Sequence, residues 1–491
     1  MKYCLWLFVF FLLSLSASGK GYFDYTPIAR TAYNNIMDLR FKEAEVQLKK
    51  MRSQEPDNLI SHHLENYMDL LKVYLDENKE QLSKMKASKT ERLNTISKGD
   101  TSSPYYLYLQ ADIRMQWALA SLKVEGYIAA FMEINRAFAL LDQNEKKFPD
   151  FMPNKKNLGI LHALVSSLPY KQAISFFSNL QGDFEQSKRE IQEVINYAKK
   201  NDFVFEKETY IYYSYVMLQF GNDDETAWNI LNNSKLNPKS SPTDAFVLAN
   251  LAMRTGKNDK AIEILQQYPK GSQYFPFPYL DYMLGRAKLQ RLDSDADQYL
   301  KQYLKEFDGQ NYIKETYKRL AWHELVHDRP EGYVRYMKEA LNKGVALVEA
   351  DEGAYLEAKT GIAPHPDILR ARLLFDGGYY QRAYNVLILR IDEKMEQARH
   401  EIELYYFLGR TSHKLKKYDN ALLYYQKAIE LGQNKPWYFA CRAALEIGNI
   451  YEIQSKNEAA KEAFKKCLTI KPEEQRFSLH QNAKAGLQRL K

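Results

Sequence analysis

Cysteine, glycine and proline are the residues this chain has least of. Three cysteines in 491 residues exclude a disulfide framework as the source of order in so large a chain. No C-x-x-C pair exists to hold a cluster or a redox centre. With 21 Gly and 16 Pro, turn signals are too sparse for an all-β sandwich or barrel, and alternating polar–apolar runs are missing as well. There is no phosphate-cradling glycine loop and no nucleophile elbow. Charge of one sign is lacking too. The 69 basic and 62 acidic residues leave a net +7, and they intersperse, as in Lys456, Glu458, Lys461 and Glu462. That pattern excludes a nucleic-acid patch and reads as solvated helix faces. Long hydrophobic runs are confined to one place, Leu5 to Leu15. Met1 and Lys2 precede it and Ser16, Ala17, Ser18 and Gly19 follow, the layout of a secretory signal peptide over 1–19, with an uncleaved anchor as the alternative. Cys4 lies ahead of the apolar run, which argues against a lipoprotein. No later segment is apolar enough to cross a membrane.

What the chain does have is helical spacing. Leu404, Phe407, Leu408 and Leu415 form one stripe; Ala421, Leu422, Tyr425 and Ile429 form the next, with Lys416–Asp419 as a short break between them. The unit is a helical hairpin, and it repeats. Small residues are followed four places later by larger ones at Ala227/Leu231, Ala261/Leu265, Ala296/Leu300, Ala383/Leu387, Ala421/Tyr425 and Ala460/Phe464. The first two steps are 34 and 35 residues, the last two 38 and 39. A small residue lets two helix axes approach, and a bulky one a turn later fills the gap against the neighbouring hairpin. Upstream, Gly409 and Gly448 stand twelve residues before Ala421 and Ala460, and Gly285 eleven before Ala296. Pro472 closes the last unit; Ala32, Ala44 and Pro56 repeat the spacing near the start, and Pro238 follows Ala227.

These residues resemble the tetratricopeptide repeat family: small contact residues, Leu-Gly in the first helix, Pro at the end. The stretch from about Ile402 to Pro472 matches best, while 60–205 and 342–365 match poorly. The resemblance implies an all-α fold, an α-solenoid of tetratricopeptide-like helical hairpins. Two further stretches, Phe148–Asn154 followed by Leu158-Gly159, and Arg372–Tyr380, give the chain the look of exported tetratricopeptide proteins of Bacteroidota-type bacteria. The expected organisation is a signal peptide over 1–19, an N-terminal helical region over 20–153, a middle array over 154–345, a bend or insertion over 346–366, and C-terminal repeats over 367–491.

Few residues carry chemistry. His323-Glu324-Leu325-Val326-His327 spells H-E-x-x-H. Two imidazoles one helical turn apart can hold Zn²⁺, with Glu324 as general base for a bound water. That would make a zinc metallopeptidase, the alternative reading. Against it, Leu320-Ala321 occupy the first-helix contact position of a repeat, and Asp328-Arg329-Pro330 end the helix at once. His323 and His327 therefore remain metal candidates only. Cys441 and Cys467 lie at ends that antiparallel helices bring together, so they are either a candidate disulfide or two buried thiols. His62 and His63 are adjacent, so they point to different faces. Tyr105, Tyr108, Tyr212 and Tyr215 lie in first helices, which in a solenoid of this kind face the concave side, and are candidates to grip a ligand there. The expected function is a non-catalytic scaffold holding a protein or peptide in a concave groove. It would work in the periplasm or envelope of a Gram-negative bacterium, without cofactor, nucleic acid or transmembrane segment in the mature chain. A glycan-binding protein is a lesser alternative.

Overall fold

The structure, a computed structural model, describes residues 20–490 except 125–126, 167–182 and 221–222. The expected signal peptide lies outside the described residues. Among these, twenty-four α-helices form and no strand does; the sole β pairing is an isolated bridge between Tyr22 and Asn58. The protein is an all-α helical repeat. No described helix is long and apolar enough to cross a membrane.

Seven of the described hairpins share one turn. In each of the seven, a first helix (A) ends, one residue takes a left-handed conformation, and a second helix (B) begins. The left-handed residues are Leu39, Gly256, Leu292, Asp328, Gly378, Lys416 and Ser455. The residue after each donates its backbone N–H to a carbonyl five positions back, as in Lys417 to Ser412, Tyr379 to Leu374 and Arg40 to Asn35, over 2.7–2.9 Å in all seven. This bond satisfies an A-helix carbonyl that would otherwise lack a partner and reverses the chain within two or three residues. Only two of the seven are glycine. The other five accept roughly 1 kcal/mol of left-handed strain, which the turn bonds and the flanking helix contacts offset.

Packing within a hairpin follows from the small residues. Ala44, Ala227, Leu231, Ala261, Leu265, Gly285, Ala296, Ala383, Gly409, Ala421, Tyr425, Gly448, Ala460, Phe464 and Pro472 are all buried. The bulky residue of each B helix was expected to fill a gap against the next hairpin. In three hairpins it also sits over the glycine of its own A helix: Tyr425 over Gly409, Leu300 over Gly285, Phe464 over Gly448. Phe464 does both, because its other edge lies against Gly486 in the closing helix Arg476–Arg489.

The described residues divide into two compact units, one of 20–74 with 78–209 and one of 75–77 with 210–490. This differs from the expected boundary at 153/154. Helix Met152–Ser166 packs on Tyr127–Lys147 and on Phe184–Ala198, and Lys156 and Asn157 reach into the buried polar core of the first unit. Within that unit, residues 20–25 run extended, with Tyr22 hydrogen-bonded to Asp57 and Leu59. In the second unit, the expected bend at 346–366 contains a helix, Glu349–Thr360, packed on both members of the hairpin Ile313–Val326/Pro330–Asn342. Asp351 caps the first of these, accepting from the backbone N–H of Tyr312 at 2.6 Å and of Glu315 at 2.9 Å.

Candidate functional site

The H-E-x-x-H segment lies at the end of helix Ile313–Val326, and His327 falls one residue beyond it. His323 is buried, and its Nε2 donates to the carbonyl of Ser294 at 3.1 Å. His327 Nδ1 donates to the carbonyl of His323 at 2.7 Å. The two rings lie side by side, centroids 4.3 Å apart and planes at 40°. Glu324 is held by Arg329 through two bonds of 3.0 Å. The Arg329 guanidinium also stands 3.4 Å from His323 Nδ1, the nitrogen left to accept. Burial and the neighbouring His327 both lower the pKa of His323. A zinc centre needs converging lone pairs, a third ligand and a carboxylate free to take a proton. Here one ring has spent its Nε2, a cation covers its Nδ1, and the carboxylate is bound to arginine. Among the described residues, no group of three or more His, Cys, Asp or Glu is placed to hold a metal. The residues present do not fit the zinc reading.

Cys441, in the first turn of helix Phe439–Ile453, and Cys467, in the last turn of Asn457–Thr469, are both buried free thiols with sulfurs 3.6 Å apart. The hydrogen bond between them lowers the pKa of Cys441 and raises that of Cys467.

The tyrosine expectation needs correction. Tyr108 has no exposed surface; its ring is enclosed by Phe151 at 5.7 Å, Phe205 at 5.8 Å and Tyr105 at 6.2 Å. Tyr105 is packed against Phe151 at 4.9 Å, and burial pushes its hydroxyl up to about 12. Tyr108 is core, and Tyr105 is half-buried with its ring packed on Phe151. Tyr212 and Tyr215 are half-buried and fall in the other compact unit.

What sequence reasoning missed in the first unit is a buried polar network. Tyr25 Oη and His63 Nδ1 are 2.8 Å apart, and His63 Nε2 is 2.8 Å from Asp112. Asp112 also accepts from Asn157 and Gln116, each at 2.7 Å. Beside it, Lys156 donates to Glu208 at 2.6 Å, Tyr67 donates to the same carboxylate at 2.9 Å, and the Lys156 ammonium lies 4.5 Å over the Phe205 ring. Burial would push the Asp112 carboxyl up; the His63 bond and the Lys156 charge outweigh it and hold the group well below the usual carboxylate range. Every member is buried, so the network pins helices together and is closed to substrate.

The second unit offers a more open face. Arg286, Arg372 and Arg410 each directly follow the small contact residue of an A helix: Gly285, Ala371 and Gly409. Helices Tyr279–Arg291, Pro366–Asp376 and Ala398–Lys414 pack on one another in that order, so the three arginines form a row of equivalent positions on successive A helices. Among the described residues none of the three makes a hydrogen bond or ion pair, and Arg286 Nε is buried without a partner. Aromatic faces carry two of them: Arg372 lies 4.9 Å over Trp322 and Arg410 4.1 Å over Phe375. The row is not purely basic. Asp376 is exposed beside Arg372, and Glu403 is buried nearby, its carboxyl pushed up by burial against the pull of Arg372 and Arg399.

Comparison with known proteins gives one family. The tetratricopeptide repeat model matches residues 402–434 and 442–474, so the chain carries tetratricopeptide repeats in its two C-terminal hairpins. No curated protein matches the chain. Among solved structures, one in the crystal structure of the APC/C hetero-tetramer Cut9–Hcn1 is 12% identical over 94% of this chain and 95% of that one, with a TM-score of 0.25.

Proposed function

We propose that this protein is a non-catalytic scaffold that holds an extended segment of a partner protein along the A-helix face of its second unit. The carrying observation is the row of arginines, Arg286, Arg372 and Arg410. A half-buried guanidinium without an acceptor forfeits charge-assisted hydrogen bonds. A peptide laid across the A helices supplies acceptors through carboxylates or backbone carbonyls, and the planar fork of arginine suits either. Tetratricopeptide repeats in the same unit agree with a protein-interaction role. We place the protein in the periplasm or envelope of a Gram-negative bacterium, on the strength of the apolar run before Ser16.

The glycan reading loses its support at the tryptophans. Trp117, Trp228, Trp322 and Trp437 each carry a cation over the ring, from Lys89, Lys257, Arg372 and Arg399 at 4.9–5.9 Å, which competes with sugar for that face.

The test is crosslinking in the native envelope with the wild-type chain and with Arg286→Gln/Arg372→Gln/Arg410→Gln. A specific adduct that the triple variant loses, at unchanged melting temperature, supports the reading. An adduct retained in full by the variant places the binding surface elsewhere. Fractionation of the same cells checks export, since a chain retained in the cytoplasm with residues 1–19 intact removes the envelope assignment.

A further inference from the structure

A second feature of the same unit is independent of the arginine row. The connection from helix Asn258–Gln267 to helix Tyr279–Arg291 runs through Tyr268-Pro269-Lys270-Gly271-Ser272-Gln273-Tyr274-Phe275-Pro276-Phe277-Pro278. It lies beside helix Ala296–Glu306 and the two line an open cavity of about 630 Å³, inside the range of small-ligand sites. Asp281 stands in its wall, nine-tenths buried, and Glu306 and the rings of Tyr268 and Tyr299 line it too. Two carboxylates in the lining face one cation, Lys270.

Lys270 is held differently from Lys288, the other lysine over a ring of this lining. Lys288 lies over Tyr299 but is buried and anchored to Asp295 at 2.8 Å. The Lys270 ammonium rests 4.9 Å over the Tyr268 ring and 3.6 Å from Asp281, too far for a hydrogen bond, and its side chain is 60% exposed. Gly271, at φ 140°, gives its backbone a freedom other residues lack. A loosely held, tethered ammonium thus sits between a buried carboxylate and an aromatic face. Burial and Glu306 push the Asp281 carboxyl up while Lys270 pulls it down, so the carboxylate is short of positive partners.

We propose that this cavity is a binding site for a primary alkylammonium group, and that Lys270 is an internal stand-in that an incoming ammonium displaces. The ligand's nitrogen takes the place between Asp281 and Tyr268, gaining a charge-assisted hydrogen bond and a cation–π contact. The carboxamides of Gln298 and Gln302 and the Glu306 carboxylate supply further acceptors, and the ligand's methylenes lie along the aromatic loop. The same chemistry is presented by a lysine of a partner protein and by a free diamine.

Calorimetric titration of the full chain with 1,5-diaminopentane, and with a short peptide carrying one lysine, tests this. Both are expected to bind weakly. Lys270→Ala, which removes the competitor, should tighten binding about tenfold, the size of one lost cation–π and ion contact. Asp281→Asn should abolish it. Because Asp281 is buried, Glu306→Gln at the exposed rim serves as a second variant, with weaker binding expected at unchanged melting temperature. Tighter binding of the peptide assigns the site to a partner's lysine, and tighter binding of the diamine assigns it to a free amine. Nε-acetyl-lysine peptide binding as well as the free lysine form, or Lys270→Ala weakening the interaction, would overturn the proposal.

Discussion

Gly448→Ala should destabilise the last repeat, although helix propensity alone favours it. Alanine in place of glycine in a helix interior gains about 1 kcal/mol. The structure opposes this gain. A Cβ at position 448 would stand 2.5 Å from Phe464 Cδ1 and closer still to Cε1, inside any real carbon contact. The ring cannot retreat: Phe464 is fully buried, and its far edge is what a Cβ on Gly486 would meet at 2.6 Å. Overpacking of this kind costs about 1–3 kcal/mol, so the net loss should be on the order of 1 kcal/mol. A double-mutant cycle sharpens the test. Phe464→Leu alone leaves a void, and in Gly448→Ala/Phe464→Leu the new methyl fills part of it. The double variant should then be more stable than the sum of the two single changes by about 1 kcal/mol, well outside the additivity expected of independent sites. Because a helical repeat opens locally, the readout is amide hydrogen exchange across Phe439–Ile453 and Asn457–Thr469 in the full chain. Stronger protection in Gly448→Ala, or simple additivity in the cycle, would refute the view that this glycine exists to seat the Phe464 ring.

Four further outcomes are expected. Lys156→Met leaves Glu208 buried without its cation and should cost about 3–5 kcal/mol, read as a lowered melting temperature; Lys156→Met/Glu208→Gln should recover part of that loss, and no recovery would deny the coupling. Burial lifts the Asp351 carboxyl to about 6 against the two backbone bonds it accepts, so the stability it contributes is complete below the ordinary carboxylate range and is lost as the pH rises from about 4 through 6; wild-type melting should fall across that window more than melting of Asp351→Asn, and parallel curves would contradict this. The Cys441 and Cys467 sulfurs stand 3.6 Å apart against about 2.05 Å in a disulfide; if the chain is exported as proposed, alkylation of the native protein unfolded without reductant should leave both blocked as a disulfide, whereas two labelled thiols would assign them to the core alone. Purified protein should contain no stoichiometric zinc, and metal lost upon His323→Ala would reverse the conclusion drawn from the engaged nitrogens.

The hairpins were legible because their determinants are local. A small residue, a bulky one four places on and a glycine twelve back are separated by distances that one hairpin spans, so Gly409, Ala421 and Tyr425 announce their contact in the sequence. The turn was less legible. Its left-handed residue is glycine at 256 and 378 but leucine, aspartate, lysine or serine elsewhere. The conformation is imposed there by the bond five residues back and by the two helices it joins, and residue type has little say. The polar network of the first unit left no trace, for the opposite reason. Its central contacts join residues 38 to 141 positions apart on different helices, and no spacing rule connects His63 with Asp112 or Lys156 with Glu208.

The misleading motifs fail in a shared way. H-E-x-x-H specifies which residues lie a turn apart; it does not specify where their lone pairs go. At His323 that choice belongs to the Ser294 carbonyl and to Arg329, neither of which the pattern contains. The tyrosines repeat the lesson. An aromatic on an A helix faces whatever the next element brings. Phe151 and Phe205 close over Tyr105 and Tyr108, while the row from Arg286 to Arg410 finds no acceptor among the described residues. On the proposed reading, recognition by this chain falls to side chains that the neighbouring hairpins leave unsatisfied. Identifying them requires knowing the partner of every polar group, which composition and periodicity do not carry.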